Sequence, residues 1–193
     1  MGAAEDLGRL VSAMAFAADK HRNQRRKDAD ASPYINHPIA LADVLANEGG
    51  VTDLVVLCAA VLHDTVEDTE TTQQELQARF GLEIAAVVLE VTDDKALPKG
   101  TRKQLQIEHA PHISRKAQLV KLADKICNLR DLLASPPANW SAERKQAYFE
   151  WAGKVVDGVR GVHPQLEAVF DGLLARAGEL QGDNPQLGGQ RQR

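Results

Sequence analysis

The sequence predicts a single all-α domain, and three observations carry that expectation. Apolar residues recur at helical spacing, as at Leu7, Leu10, Val11, Met14 and Ala17. Aromatic residues make up only 4% while Ala and Leu are abundant, so the core has to be built from small and aliphatic side chains. The one segment that could be a buried strand, Leu54 to Leu62, contains Cys58-Ala59-Ala60 and has no second strand-like segment to pair with. At 193 residues the chain has enough length for one substantial core.

The first helix is expected from about Ala4 to His21. Arg22 to Pro33 is polar and turn-like, and Ser32-Pro33 disfavours a continuing helix. A second helix takes Pro38 in its first turn, runs to Asn47 and stops at Gly49-Gly50. The third starts near Asp53 and holds the apolar run. Thr72-Gln73-Gln74-Glu75 has the form of a capping box opening a short helix that ends at Phe80-Gly81. Leu82 to Val91 is again apolar, and Thr92 to Gly100 is a polar loop. Further helices are expected over Thr101–Glu108, over Ser114–Leu133, from Ser141 after Pro136-Pro137, and from Pro164 to about Leu180. Residues 1–180 thus form the domain. Residues 181–193, rich in Gln and Gly without apolar periodicity, read as a disordered tail.

A formal net charge of −4 argues against a nucleic-acid binder, whose footprint would be basic. The longest apolar run is far short of the roughly 20 residues a membrane span needs. No secretory signal is visible, and Asp6 stands where a Gly2 myristoylation signal needs Ser or Thr. Cys58 and Cys127 lie in apolar stretches and read as buried reduced thiols. These features predict a soluble, cytoplasmic protein. The sequence carries no signal for an oligomeric state.

Chemistry concentrates in Leu62-His63-Asp64-Thr65-Val66-Glu67-Asp68, directly after the apolar run. On a helix Asp64, Glu67 and Asp68 fall at i, i+3 and i+4, so three carboxylates share one face, and His63 pairs with Glu67 in the same way. Like charges at that spacing repel, and more so when water is excluded, unless a cation or a reaction requires them. His37 opens the preceding helix, and Asp124 lies inside Lys121-Leu122-Ala123-Asp124-Lys125. Alone, His37 is a turn residue and Asp124 a surface charge. Together with His63-Asp64 they form a set of two imidazoles and two carboxylates suited to Mn, Fe or Zn. A mononuclear site of this kind leaves positions for water acidified by the metal.

Several stretches together resemble a known family. They are His21-Arg22-Asn23-Gln24-Arg25-Arg26-Lys27, Pro33-Tyr34-Ile35-Asn36-His37-Pro38, Leu62 to Thr69, and Leu122-Ala123-Asp124-Lys125. They are similar to the hydrolase half of RelA/SpoT-type alarmone enzymes, members of the HD metal-dependent phosphohydrolase superfamily. Val91-Thr92-Asp93-Asp94-Lys95 and Tyr148-Phe149-Glu150-Trp151 narrow the likeness to the stand-alone small alarmone hydrolases of the metazoan SpoT-homologue type. The likeness spans roughly Leu10 to Leu174. It implies an HD-domain helical bundle, one bound Mn²⁺ (Zn²⁺ or Fe²⁺ as alternatives), and hydrolysis of the 3′-pyrophosphate of ppGpp or pppGpp. His37, His63, Asp64 and Asp124 fall on the family's metal ligands, and Glu67 and Asp68 on its paired acidic motif. The chain ends before the synthetase domain of the long members would begin, so hydrolysis without synthesis is expected.

Two basic clusters could hold the anionic substrate: Arg25, Arg26 and Lys27, and Lys95, Lys99, Arg102 and Lys103. Without the resemblance each reads as a solvated face. The likeness places Arg26 and Lys27 on nucleotide contacts and Asn128 on a ribose or phosphate contact. Asn128 also lies at i+4 from Asp124 and faces the same way. Lys99, Arg144 and Tyr148 are weaker carry-overs, and Tyr148 with Trp151 could equally be packing residues. Two alternatives to the alarmone hydrolase remain: a phosphatase removing the 2′-phosphate of NADPH, and a non-catalytic guanine-nucleotide sensor.

Overall fold

Start signals in the sequence become real caps. Asp53 accepts the Val55 N–H at 2.8 Å and opens α3 (Leu54–Leu62). Thr72 accepts from Glu75 at 3.1 Å and Ser114 from Ala117 at 3.2 Å, opening two further helices. Ser141 does the same for Arg144, and His163 for Leu166, with Pro164 at the first helical position. The computed structural model of the protein describes residues 2–181. Most of the tail expected over 181–193 therefore lies outside the described residues.

The remaining helices are α1 (Ala3–Lys20), α2 (Asn36–Asp43), α4 (Thr65–Asp68), α5 (Gln73–Phe80), α6 (Leu82–Val91), α7 (Lys99–His109), α8 (Arg115–Ala134), α9 (Ala142–Asp157) and α10 (Pro164–Leu174). Among the described residues there is no strand; an isolated bridge joins Arg25 and Pro33 across the loop after α1. Among them, too, no helix is long and apolar enough to cross a membrane. Cys58 and Cys127 are buried and unpaired by a disulfide, as expected.

Helices α3 and α8 form the middle of the bundle. The first packs on α1, α2, α6 and α8, and the second on α2, α3, α6, α9 and α10. Six of the nine residues of α3 are buried, which gives it an almost wholly apolar surround. Between α5 and α6 the chain turns on Gly81 alone, at φ +89, a conformation that a side chain would strain.

Three elements differ from the sequence expectation. The second helix does not run straight to Asn47: after Asp43 it widens into a π-helical turn, Val44–Glu48. A side chain at the following Gly49 would meet Leu166 Cδ1 at 2.9 Å, so the turn brings bare backbone against α10. The acidic run does not continue one helix either. The chain breaks after Leu62, where Thr65 Oγ1 donates to the Leu62 carbonyl at 2.7 Å, and resumes as the single turn α4. Last, the final helix ends at Leu174 and tightens into 3₁₀ turns over Ala175–Gln181, which bring Leu180 into the core.

Candidate active site

The break after Leu62 is what makes the site. It frees the Ala60 carbonyl, which accepts the His63 Nδ1 proton at 2.8 Å. That bond fixes the ring and turns Nε2 inward, an arrangement typical of metal-binding histidines. His37, in the first turn of α2, sets its Nε2 3.2 Å from Asp124 Oδ1, and His63 Nε2 is 4.0 Å from the same oxygen. Donor atoms of His37, His63 and Asp124 all lie within 4.8 Å of one another. Donors about 2.0–2.2 Å from a common ion would be spaced on this scale. Neither His37 Nδ1 nor His63 Nε2, both buried, makes a well-formed hydrogen bond, although Asp64 Oδ2 lies 3.0 Å from the latter. A buried polar atom without a well-formed hydrogen bond is costly, so an inward-facing His63 Nε2 beside the oxygens of Asp64 and Asp124 suits a bound cation.

Asp64, the fourth expected ligand, stands beside this trio. Its Oδ2 is 3.0 Å from His63 Nε2 and accepts the Tyr34 hydroxyl proton at 2.5 Å. Burial works against charge on every member; neighbouring charges outweigh it at His63, Asp64 and Asp124, whereas burial prevails at His37 and lowers it despite the bond to Asp124. His63 is raised to about 9 because Asp64 and Asp124 outweigh its desolvation. Asp64 is lowered by the two histidines, and Asp124 well below the usual carboxylate range by Lys125 and His37, both against burial. The pocket favours a positive charge at its centre.

The three carboxylates of the acidic run do not act as one face. Glu67 accepts the Asp93 backbone N–H at 3.1 Å on Oε2, and its Oε1 is 3.7 Å from Arg102 Nη1. Burial pushes Glu67 up to about 7, and the charges of Asp64, Asp93 and Asp68 add to this against the Asp93 hydrogen bond. Asp68 pairs with Lys95 and lies 3.3 Å from the Tyr34 hydroxyl. Tyr34 therefore stands between Asp64 and Asp68 with one proton to give. Burial and both carboxylates keep that phenol protonated.

Helix α8 contributes a polar stripe, Lys121, Asp124, Lys125 and Asn128, at i, i+3, i+4 and i+7. Lys125 Nζ donates to Asp124 Oδ2 at 2.8 Å and to Gln106 Oε1 at 3.1 Å, and sits 4.4 Å above the Trp151 ring. Asn128 Nδ2 donates to Asp124 Oδ1 at 2.6 Å, as its spacing implied, and its Oδ1 accepts from Arg26 at 3.2 Å. Arg26 also reaches Asp131 Oδ2 at 2.5 Å. Lys121, buried and lowered to about 8 by desolvation, donates to the Val91 carbonyl.

Two cavities meet here. The smaller, about 220 Å³, lies between the trio and the acidic pair; the larger, about 580 Å³, extends from it towards Lys27, Pro137 and Trp140. Arg26, Tyr34, Asp68, Asn128 and Tyr148 line both, whereas Glu67 faces only the smaller. Lys27 lines the larger cavity. Lys99 and Arg144 line neither, but they belong to the charged rim. Burial lowers the Lys99 ammonium, and so do Arg144, Lys27 and Arg102; burial also lowers Lys103, with Lys99, Lys125 and Arg144 adding to it. Among the described residues no carboxylate lies within ion-pair distance of Lys27, Lys99, Lys103 or Arg144.

The HD domain family matches residues 13–152. This chain belongs to the HD-domain family. HD domains are metal-dependent, and the His37, His63 and Asp124 cluster suits that dependence. The guanosine-3′,5′-bis(diphosphate) 3′-pyrophosphohydrolase MESH1 of Homo sapiens is 55% identical over 173 residues, 90% of this chain and 97% of its own length. MESH1 of Xenopus tropicalis is 54% identical over the same shares of the two chains. A solved metazoan orthologue of SpoT that hydrolyses ppGpp matches with a TM-score of 0.86 at 46% identity, covering 88% of this chain and 96% of that one.

Sequence reasoning missed Tyr34, Lys121, Lys125 and Gln106 as site residues. For the two lysines a signal was present: charged residues at i and i+4 on the same side of α8 as Asp124, in a helix otherwise rich in Leu and Ala. For Gln106 there was none, because its partners come from other elements.

Proposed function

We propose that this HD-domain protein hydrolyses the 3′-pyrophosphate of ppGpp and pppGpp, giving GDP or GTP and pyrophosphate. The observation that carries this reading is the Glu67/Asp68 pair facing the His37, His63 and Asp124 trio across a small cavity, beneath a rim of unpaired cations. His37, His63, Asp64 and Asp124 would hold the ion, Mn²⁺ in our reading. When bound, it supplies charge compensation for the phosphoryl oxygens and acidifies water.

The chain's own residues do the rest. Glu67 exchanges a proton near neutral pH and faces only the cavity beside the trio, which suits it to take the proton of the attacking water. Asp68 lines both cavities, which suits it to meet the leaving 3′-oxygen. Arg26, Lys27 and Asn128 would hold the nucleotide, with Lys99, Arg144 and Tyr148 around it. The activity of the relatives favours the alarmone over NADPH, and the complete acidic pair favours turnover over a silent sensor. A nucleotide substrate and the two free buried thiols support a cytoplasmic location.

The deciding experiment offers ppGpp and NADPH separately with Mn²⁺, Zn²⁺ and Fe²⁺ and measures both inorganic products. Pyrophosphate from ppGpp is expected, fastest with Mn²⁺. Faster orthophosphate release from NADPH would overturn the substrate assignment.

A further inference from the structure

Between the trio and the acidic pair runs a chain of hydrogen bonds with one neutral link. Lys125 donates to Asp124 Oδ2 and, at 3.1 Å, to Gln106 Oε1. Gln106 Nε2 donates to Asp93 Oδ2 at 2.7 Å, and the Asp93 backbone N–H donates to Glu67 Oε2 at 3.1 Å. The Gln106 amide can take only one orientation. An ammonium has no acceptor and a carboxylate no donor, so the oxygen must face Lys125 and the nitrogen Asp93. Lys125 is itself fixed, with a side chain 4% exposed and packed on Trp151.

We propose that Gln106 is a positioning residue: it ties the loop carrying Asp93 to the Asp124–Lys125 segment, and so sets the carboxylate of Glu67 against the trio. The inference deepens the hydrolase reading and rests on Glu67 acting there. Gln106 lines the small cavity but bonds to neither the trio nor Glu67, so its loss misplaces Glu67 without removing a metal ligand. Misplacement of about 1 Å at a reacting group can cost on the order of a hundredfold in rate.

Two variants separate the halves of the link. Gln106→Ala removes both bonds. Gln106→Glu is nearly isosteric and keeps an oxygen for Lys125, but sets a carboxylate against Asp93. With ppGpp and Mn²⁺, both are expected to lose about ten- to hundredfold in kcat, with KM within about threefold and metal content unchanged. A second readout needs no turnover: the backbone amide proton of Asp93, followed by NMR in the full chain supplied with diamagnetic Zn²⁺. In the parent it is expected downfield and slow to exchange. In both variants it should move upfield and exchange at least about tenfold faster.

Parent-like kcat in Gln106→Glu beside a loss in Gln106→Ala would overturn the proposal, reducing Gln106 to support for Lys125. An unchanged Asp93 amide in Gln106→Glu would overturn it too. Should the parent itself release no pyrophosphate from ppGpp, the hydrolase reading falls, and the Asp93 amide alone decides this one.

Discussion

Helices α3 and α8 both cross the middle of the bundle, and both deliver residues to the same centre, yet they do so by different physics. In α3 the body is buried and apolar from Cys58 to Leu62, and the chemistry begins only where the helix stops, at His63 and Asp64. Helix α8 instead carries its chemistry mid-length. Lys121, Asp124, Lys125 and Asn128 lie among the buried Val120, Leu122, Ala123 and Ile126, and each is satisfied by another polar group. One helix positions by packing, the other by a polar network. Packing tolerates charge at its edge; a network inside a core works only when every member is paired.

The largest effect should come from the proposed metal ligands, which both helices supply. His63→Ala from the end of α3 and Asp124→Ala from the middle of α8 are each expected to lower metal content below about a tenth and activity by at least about a thousandfold. Elemental analysis with full occupancy in either variant would remove that residue from the centre. The next test separates the two modes. Leu62→Ala should destabilise the protein by about 2–5 kcal/mol, as core truncations do. Measured where it is still folded, it should keep its metal, because the Leu62 side chain only packs and the carbonyl that Thr65 uses is retained. Loss of metal in the folded variant would mean that the packing of α3 and the ligand geometry are not separable.

Glu67→Gln should lower kcat by about a hundredfold or more with metal retained. The same change predicts a gain in stability for metal-free protein. The Glu67 carboxyl is raised in the fold from its ordinary 4.5 to about 7, so its ionisation opposes folding. That cost is absent below about pH 4.5, grows between there and 7, and is constant above. Glu67→Gln should therefore match the parent near pH 4 and exceed it by roughly 1–3 kcal/mol at pH 8 once solvent screening is allowed for. Chemical denaturation at the two pH values checks this, and equal stability at pH 8 would contradict the strained carboxylate. The smallest effect concerns the loop after α1. Arg26→Ala and Lys27→Ala should each cost about ten- to hundredfold in kcat/KM, mostly through KM, as a lost charged hydrogen bond would. Kinetics within twofold for both would return that loop to the surface.

The same contrast explains what the sequence could tell. Helix α3 was legible because an apolar run ending in His63-Asp64 has no comfortable soluble explanation. The cap residues were legible because their bonds are local, as at Thr72 with Glu75 and Ser141 with Arg144. Asn128 could be aimed from its distance to Asp124 along the helix. Tyr34 could not, since its hydroxyl is claimed by residues 30 and 34 positions away. Nor could the partners of Arg26, 102 and 105 positions on. Lys125 shares a side of α8 with Asp124, but its type outweighed that signal: lysine reads as solvent-facing until a carboxylate and an aromatic ring enclose it. The break between α3 and α4 escaped because it falls at His63 and Asp64 with both still in the right-handed helical region, and no glycine or proline marks it.

The unpaired rim has a consequence for how quickly the protein finds its ligand. Lys27, Lys99, Lys103 and Arg144 repel one another in the free chain, on a molecule whose formal charge is −4. The field is thus inverted locally: an approaching polyanion meets a repulsive body with one attractive mouth. Such a funnel raises the rate of productive encounter and orients the anion before contact, and dissolved ions weaken it over about 8–10 Å at physiological strength. Capture therefore slows as salt rises, while the chemistry deeper in, screened by protein and not by solvent, keeps its pace.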